Sequence, residues 1–417
     1  MTVLALDIGS SSVRAQRLAD DGTPDGELRQ EKYDTNDANE VAALVRTVLD
    51  GGDPDGTSCF GHSLVALDAR GAPLTPILGW RDTRSADAAE WLRRRLDADA
   101  VHASTGAYLH PSFWPAKLAW LAQAEPEVFR DAARFVSFSD VVRGGRTTSV
   151  SIASGTGLLD LTTNDWDAEL LETLGLDVAR LPRIVEQPVW LDAVCSNLGA
   201  GCVGPERAAL MVGTSGALRV LYETERPQPK PGLFLYRVDE RRVIEGGALS
   251  DGGNLQAWLE ATLPEPGAAS DDHGLTFLPF LGGERSTGWD PDMKGALLGL
   301  TFETSPGDIR RAALEGVGFR FAAIAELLPD VEEIVATGGA LTKAPGWVQI
   351  MADALARPVV LSGVAEASLR GAAVALVDTP ADAPLADTFH PREDRAEAYR
   401  SARERQQRLY EVLHGEL

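Results

Sequence analysis

Three short turns rich in glycine and hydroxyls, each at the end of an apolar run, hold the residues of this chain best suited to chemistry. The first is Asp7-Ile8-Gly9-Ser10-Ser11-Ser12-Val13-Arg14, the second Gly213-Thr214-Ser215-Gly216 and the third Thr337-Gly338-Gly339-Ala340. A glycine turn lets backbone N–H groups approach phosphate oxygens, and the hydroxyls of Ser10, Ser11, Ser12, Thr214 and Ser215 add donors. Asp7, closing its apolar run, offers the oxygen ligand that Mg2+ prefers, usually through a retained water. At the third turn, Gly338, Gly339 and Ala340 are small enough to let a flat ring lie against the backbone. The pattern G-x-x-x-x-G-K-[ST] does not occur, so this is not P-loop chemistry. A serine-rich turn after a strand is more often just a turn. Two of one design in a single chain are much less a product of chance.

Strands must carry these turns. Val3–Ile8, the turn Gly9–Ser12 and a run from Val13 read as strand, turn and strand, and Ala208–Val212, the second turn and Ala217–Tyr222 repeat the pattern. Helical periodicity is expected over Ser85–Leu96, Pro115–Ala124, Pro306–Leu328, Trp347–Leu355 and Ala367–Val377, with strands at Ile334–Ala336 and Pro358–Leu361. The proline-rich stretch Arg226–Gly232 reads as a surface loop. A chain of 417 residues exceeds one ordinary core. Two α/β domains are expected, residues 1–205 and 206–417, each opening on a strand-turn-strand.

Composition narrows the partners. With 62 acidic against 39 basic residues the formal net charge is -23, a field that repels nucleic acid and anionic lipid. No stretch reaches the ~18 uninterrupted apolar residues of a membrane span, and no basic segment precedes the first short apolar run as in a signal peptide. The expectation is a cytoplasmic protein with no nucleic-acid or membrane partner. Cys59, Cys195 and Cys202 form no C-x-x-C pair, so neither zinc nor a disulfide framework is indicated. An anionic ligand must find local positive ground in Mg2+, backbone N–H groups or a placed arginine.

In order, the three turns resemble the actin/Hsp70/sugar-kinase superfold, and further segments narrow this to the FGGY carbohydrate kinases. Gly61-His62-Ser63-Leu64-Val65-Ala66-Leu67-Asp68 and Trp80-Arg81-Asp82-Thr83-Arg84 are similar to that family's substrate segments. Leu281-Gly282-Gly283-Glu284-Arg285 resembles its G-E-R motif, and Glu366-Ala367-Ser368-Leu369-Arg370-Gly371-Ala372-Ala373 continues the match. The resemblance implies two ribonuclease-H-like domains around a nucleotide cleft, with ATP and Mg2+ as cofactors. It implies nucleotide contacts at Gly9, Ser10, Ser11, Ser12, Arg14, Gly213, Thr214, Ser215, Gly216, Gly338, Gly339 and Ala340, with Asp7 at the metal. Substrate contacts fall on Gly61, His62, Trp80, Asp82 and Arg84. His62 is expected to donate to a hydroxyl or carboxylate and Asp82 to accept from hydroxyls, while Arg84 either joins them or pairs with Asp82. Lys117 is open between a structural and a substrate role.

Asp192, shortly before Asn197-Leu198-Gly199, occupies the place of the family's general base. The chain departs from the family just before it, with Val189-Trp190-Leu191 where small residues are usual, and with shortened segments there and after Trp258. Ser286-Thr287 replaces the usual proline-containing end of the G-E-R motif. The His62-Ser63 wording is closest to gluconate kinases, then xylulose kinases, while glycerol kinases carry Arg-Glu there. The implied activity is ATP-dependent phosphorylation of a sugar acid or ketose. The alternative is a catalytically weak regulatory relative that keeps sugar or nucleotide binding. Either is compatible with a homodimer.

Overall fold

The apolar run that opens the chain becomes a central strand, buried at every residue from Val3 to Ile8. The computed structural model describes residues 2–19, 21–264, 269–328, 331–377 and 380–416; the outer limits 1 and 417 of the two expected domains lie outside the described residues. Strand β1 (Thr2–Ile8) turns back into β2 (Ser12–Ala19), which sets Asp7 opposite Arg14 and Ile8 opposite Val13. β3 (Arg29–Lys32) extends that edge, and β4 (Gly56–Cys59) and β5 (Val189–Leu191) join in parallel on the other side. The order is β5-β4-β1-β2-β3.

The plan then repeats. β6 (Gly204–Val212) and β7 (Gly216–Glu223) form the second hairpin, with Val212 opposite Gly216. β8 (Phe234–Arg237) and β9 (Arg242–Leu249) extend its β7 side. β10 (Glu333–Thr337) and β11 (Val359–Ser362) add in parallel beside β6, and β12 (Leu385–Phe389) closes the edge antiparallel. The second sheet therefore runs β8-β9-β7-β6-β10-β11-β12. Both sheets carry an antiparallel first pair, a third strand outside it and parallel strands on the far side. That recurrence is the two-fold α/β plan the resemblance implied.

Parallel neighbours need crossovers, and helices supply them. Ala38–Leu49, which the sequence reading did not single out, is started by the Asp37 carboxylate accepting from the N–H groups of Asn39 and Glu40. It buries Val41, Val45 and Val48 at helical spacing. Pro306–Leu327 opens with Pro306 in its first turn and a capping box: Ser305 Oγ accepts from Asp308 N, and the Asp308 carboxylate accepts from Ser305 N. Its buried face, including Val317, Phe321 and Ile324, packs into the core of the second sheet. The expected helices appear at Ala86–Arg93, Trp114–Ala124, Pro345–Leu355 and Ala367–Val374, the first and last each ending three residues early. No helix among the described residues is long and apolar enough to cross a membrane.

The two halves meet where helix Asp192–Gly199 crosses helix Ala367–Val374. A Cβ on Gly199 would stand 1.8 Å from the Ala367 carbonyl oxygen, and one on Gly371 would stand 1.8 Å from that of Cys195. The second helix, late in the chain, packs against the first sheet: Leu369, Ala372 and Ala373 share a buried cluster with Val3, Ala5 and Cys195. Arg370 Nη1 donates to Gly199 O at 2.9 Å, tying a carbonyl at the first helix's end to the second helix. Gly371→Ala is expected to destabilise the protein by about 3 kcal/mol, because backbone on the facing helix must move. A lowered guanidinium midpoint would show it, and an unchanged midpoint would mean that the helices can separate without cost.

Candidate active site

The first hairpin holds its turn by Gly9 N donating to Ser12 O at 2.9 Å, and the Tyr33 hydroxyl donates to Gly9 O. Ser10 and Ser11 are left exposed at the tip. The second hairpin closes similarly over a turn one residue shorter: Gly213 N donates to Ser215 O at 3.0 Å. Gly253 N and Asn254 N then donate to the carbonyls of Gly213 and Thr214, which seats the turn against helix Gly253–Thr262. The third turn follows β10. Gly338 has φ 92°, where a Cβ would meet Val212 O at 2.4 Å, so only glycine fits there. A Cβ at Gly339 would meet nothing within 4 Å, leaving open space above the backbone. Gly253 approaches both Gly213 O and Ala340 Cβ, so the second and third turns lie side by side.

A cavity of about 170 Å³ between the sheets gathers residues from all along the chain. Ser10, Gly61, His62 and Trp80 reach it from the first half, Asp192 from the crossing helix, and Thr214, Ser215 and Gly216 from the second hairpin. Asp82 and Arg84 line a second cavity of about 550 Å³, which shares Ser10 and Trp80 with the first. Arg84 binds Asp82 through Nη2 at 2.5 Å and Nε at 3.0 Å, and its guanidinium lies 4.7 Å from the Trp120 ring. Burial pushes the Asp82 carboxyl up, but the hydrogen bonds and charge of Arg84 outweigh this and hold it below its usual range.

Asp192 begins its helix at the end of β5, half-buried, with Oδ1 accepting from Ala193 N at 2.7 Å. Burial pushes its carboxyl up to about 6, against the lowering charge of Arg219 and with Asp7 adding to the rise. The unusual Val189-Trp190-Leu191 has a structural place. It pairs in parallel with β4 and delivers Asp192 to the cavity edge. Leu191 packs over Gly61 and Gly155, where a Cβ would collide with it.

His62 stands in the left-handed region at φ 64°. Its Nδ1 lies 2.5 Å from Gly155 O, and a carbonyl only accepts, so Nδ1 carries the proton. Burial, then the charge of Arg285, push the imidazole well below its usual range, so the ring is neutral. The nitrogen left for a ligand, Nε2, therefore accepts a hydrogen bond. It does not donate one, as the sequence had suggested. Lys117 lies beneath, on helix Trp114–Ala124, 1% exposed. Its Nζ donates to His62 O at 2.5 Å and Leu78 O at 3.1 Å, fixing His62 and the segment entering Trp80. The role left open for Lys117 is thus one of positioning.

Asp7 is buried, with Oδ1 accepting from Ser58 Oγ at 2.8 Å and Oδ2 from Arg14 Nη1 at 3.0 Å. Arg14 also stands 3.5 Å from Glu366 on the late helix's approach. Among the described residues no group of three or more His, Cys, Asp or Glu could hold a metal. The Asp7 carboxylate beside the first turn offers the oxygen ligand that Mg2+ takes, usually through a retained water. Arg14 and Glu366 stand at opposite ends of the chain, so their pairing needs the fold.

Three further polar side chains that the sequence did not single out line the cavity beside Asp192: Arg219, Tyr236 and Arg285. Arg219 follows the second turn on β7, and Arg285 stands in the Gly-Glu-Arg segment, so both lay within segments already noticed. Tyr236 gave no signal at all. Neighbours in the same loop point apart. Glu284 pairs with Arg320 at 3.4 Å and accepts from the Tyr410 hydroxyl, whereas Arg285 reaches the cavity.

Two sheets of one topology, with glycine- and hydroxyl-rich turns from both opening on one cavity beside a carboxylate, are the plan of the actin/Hsp70/sugar-kinase fold. Comparison with known proteins narrows the class. Models of the FGGY family of carbohydrate kinases match over residues 55–201 for the N-terminal domain and 208–377 for the C-terminal domain. The chain is 28% identical to a gluconokinase of Bacillus subtilis (strain 168) over 371 residues, 75% of this chain and 71% of that one. It is 31% identical to a xylulose kinase of Streptomyces rubiginosus over 353 residues, again 75% and 71% of the two chains. The fold matches a ligand-bound xylulose kinase from Lactobacillus acidophilus with a TM-score of 0.87, covering 99% of this chain and 98% of that one at 23% identity. The protein belongs to the FGGY family of carbohydrate kinases, and it is a carbohydrate kinase.

Burial lowers the Lys117 ammonium from 10.5 to about 7. Between those values the unfolded chain holds one more proton than the native one, so this group's contribution to stability rises with pH and is lost as pH falls toward 7. The stability of wild type relative to Lys117→Met is therefore expected to rise by ~1.4 kcal/mol per pH unit above neutrality. Urea unfolding of both proteins at about pH 7.5 and about pH 8.5 tests this slope. A pH-independent difference would show that Lys117 stays charged.

Proposed function

We propose that the enzyme transfers the γ-phosphoryl group of ATP to a hydroxyl of a sugar acid of the gluconate kind, with a ketose such as xylulose second, and that Asp192 is its general base. One observation carries this reading: Asp192 opens onto the same cavity as the hydroxyl turns and the His62–Trp80 wall. The units 1–205 and 206–417 are the two halves that would close on the substrates. The first and second turns would take the phosphates through backbone N–H groups and the hydroxyls of Ser10, Thr214 and Ser215, and the space above Gly339 suits the adenine. Mg2+, held near Asp7 through water, would neutralise phosphate charge. Asp192, already raised by burial, is matched to removing a proton from a sugar hydroxyl near neutral pH. His62 Nε2 accepts from another hydroxyl and orients the substrate. Phosphoryl transfer needs little more than this positioning and charge stabilisation. The three buried, unpaired cysteines suit a reducing cytoplasm.

Because the base must be ionised, kcat/KM is expected to fall as pH drops through about 6. Asp192→Asn should lower kcat by ~10²-fold or more and remove that acid limb, while Mg-ATP binding stays nearly intact. Wild-type turnover in the variant would remove Asp192 from the mechanism. In an ADP-release assay across gluconate, xylulose and glycerol, kcat/KM should fall in that order. Glycerol in first place would overturn the substrate reading and leave the kinase intact.

A further inference from the structure

Arg285 is 8% exposed, yet among the described residues its side chain makes no salt bridge and no hydrogen bond. A guanidinium taken out of water without a partner is costly, and such a group normally persists where a ligand completes it. Close by, the Tyr236 hydroxyl is also buried without a partner. Both line the cavity that holds Asp192 and His62. Resting on the kinase reading of this cavity, we propose that Arg285 and Tyr236 form the receptor for a carboxylate on the substrate, so that the enzyme selects a sugar acid by its charge.

The other nearby cations are already committed. Lys117, which does not line the cavity, spends its Nζ on the carbonyls of His62 and Leu78. Arg219 donates to Ser196 Oγ at 3.1 Å and is the charge that most opposes the rise of Asp192. Arg219 also has a buried Nε without a partner, but its Nη2 is bonded, whereas among the described residues no nitrogen of the Arg285 side chain is. Its guanidinium lies 5.4 Å from the Trp80 ring and 5.8 Å from that of Trp289, which keep it dry and face it with their π-systems. His62 and His110, both pushed toward the neutral form by burial and by Arg285 itself, add no competing charge. The cavity therefore offers a cation with a hydroxyl donor, an acceptor at His62 Nε2 and a base at Asp192. That set fits a polyhydroxylated chain ending in a carboxylate. In a protein of net charge -23, a fixed internal cation is also what lets an anionic substrate stay bound.

The test compares gluconate with gluconamide, which has the same length and hydroxyls but no charge, by calorimetry. Wild type is expected to bind gluconate about 10²-fold more tightly than the amide, since loss of a charge leaves Arg285 unpaired. Arg285→Gln should bring the two affinities within about 5-fold of each other while leaving that for the amide within about 3-fold of wild type. Retained amide binding also reports that the variant is folded. Tyr236→Phe, which removes one oxygen, should lower the acid-to-amide ratio by about 5-fold. Equal weakening of both ligands by Arg285→Gln would assign the residue to the transferred phosphoryl group or to structure and overturn the proposal. So would a wild type that does not distinguish acid from amide, or a ratio that neither variant moves. Asp192→Asn separates this from the catalytic reading: it should lose turnover and keep the charge preference. If charge preference held in an enzyme that phosphorylated no acid, the substrate reading would fall and the receptor would stand.

Discussion

The crossing of helices Asp192–Gly199 and Ala367–Val374 is the constraint on which the rest of the molecule depends. At Gly199 and Gly371 the backbones come so close that a Cβ on either would lie 1.8 Å from a facing carbonyl oxygen. Gly56 of β4 meets Ala372 O in the same way, at 2.2 Å. Small residues thus let a helix late in sequence lie directly on the first sheet. Because Asp192 starts one of the crossing helices, the contact that joins the halves also sets the height of the carboxylate over the cavity. Arg14 stands between Asp7 and Glu366, so charge bridges the same seam.

Electrostatics in the cavity rest on opposed terms. Burial raises Asp7 and Asp192 and lowers His62 and Lys117. Arginines offset the first pair, at Arg14 and Arg219, while backbone carbonyls accept hydrogen bonds from the second. The result is a site in which the carboxylate ionises close to neutrality and the imidazole stays neutral. Of the two arginines lining the cavity, Arg285 is the one whose side chain has no hydrogen bond or salt bridge among the described residues.

The chain's departures from its family fall at positions the fold can absorb. Val189-Trp190-Leu191 replaces small residues but enters the sheet as β5, and Leu191 finds its room over Gly61 and Gly155. Leu191 N donates to Ser151 Oγ at 3.1 Å, which anchors the strand end just before Asp192. The bulk next to the carboxylate thus acts as packing beneath it and leaves the approach from the cavity open.

Much was legible in the sequence because it is local. Glycine and hydroxyl turns after apolar runs gave both hairpins, periodicity gave the helix from Pro306, and the order of motifs gave the repeated fold. Gly61, His62, Trp80 and Asp192 could be nominated because their neighbours in sequence carry the family's wording. What tertiary structure alone decided depends on neighbours distant in the chain. Gly155, 93 residues from His62, fixes its tautomer and turns an expected donor into an acceptor. Lys117 received its positioning role only when the carbonyls of His62 and Leu78 came within reach. Asp82 and Arg84 proved to be each other's partners in the adjoining cavity. Tyr236 and Arg285 became a pair only when β8 and the Gly-Glu-Arg loop closed on one space. A sequence displays which groups can ionise or donate; burial and distance decide which of them do, and both are properties of the packed chain.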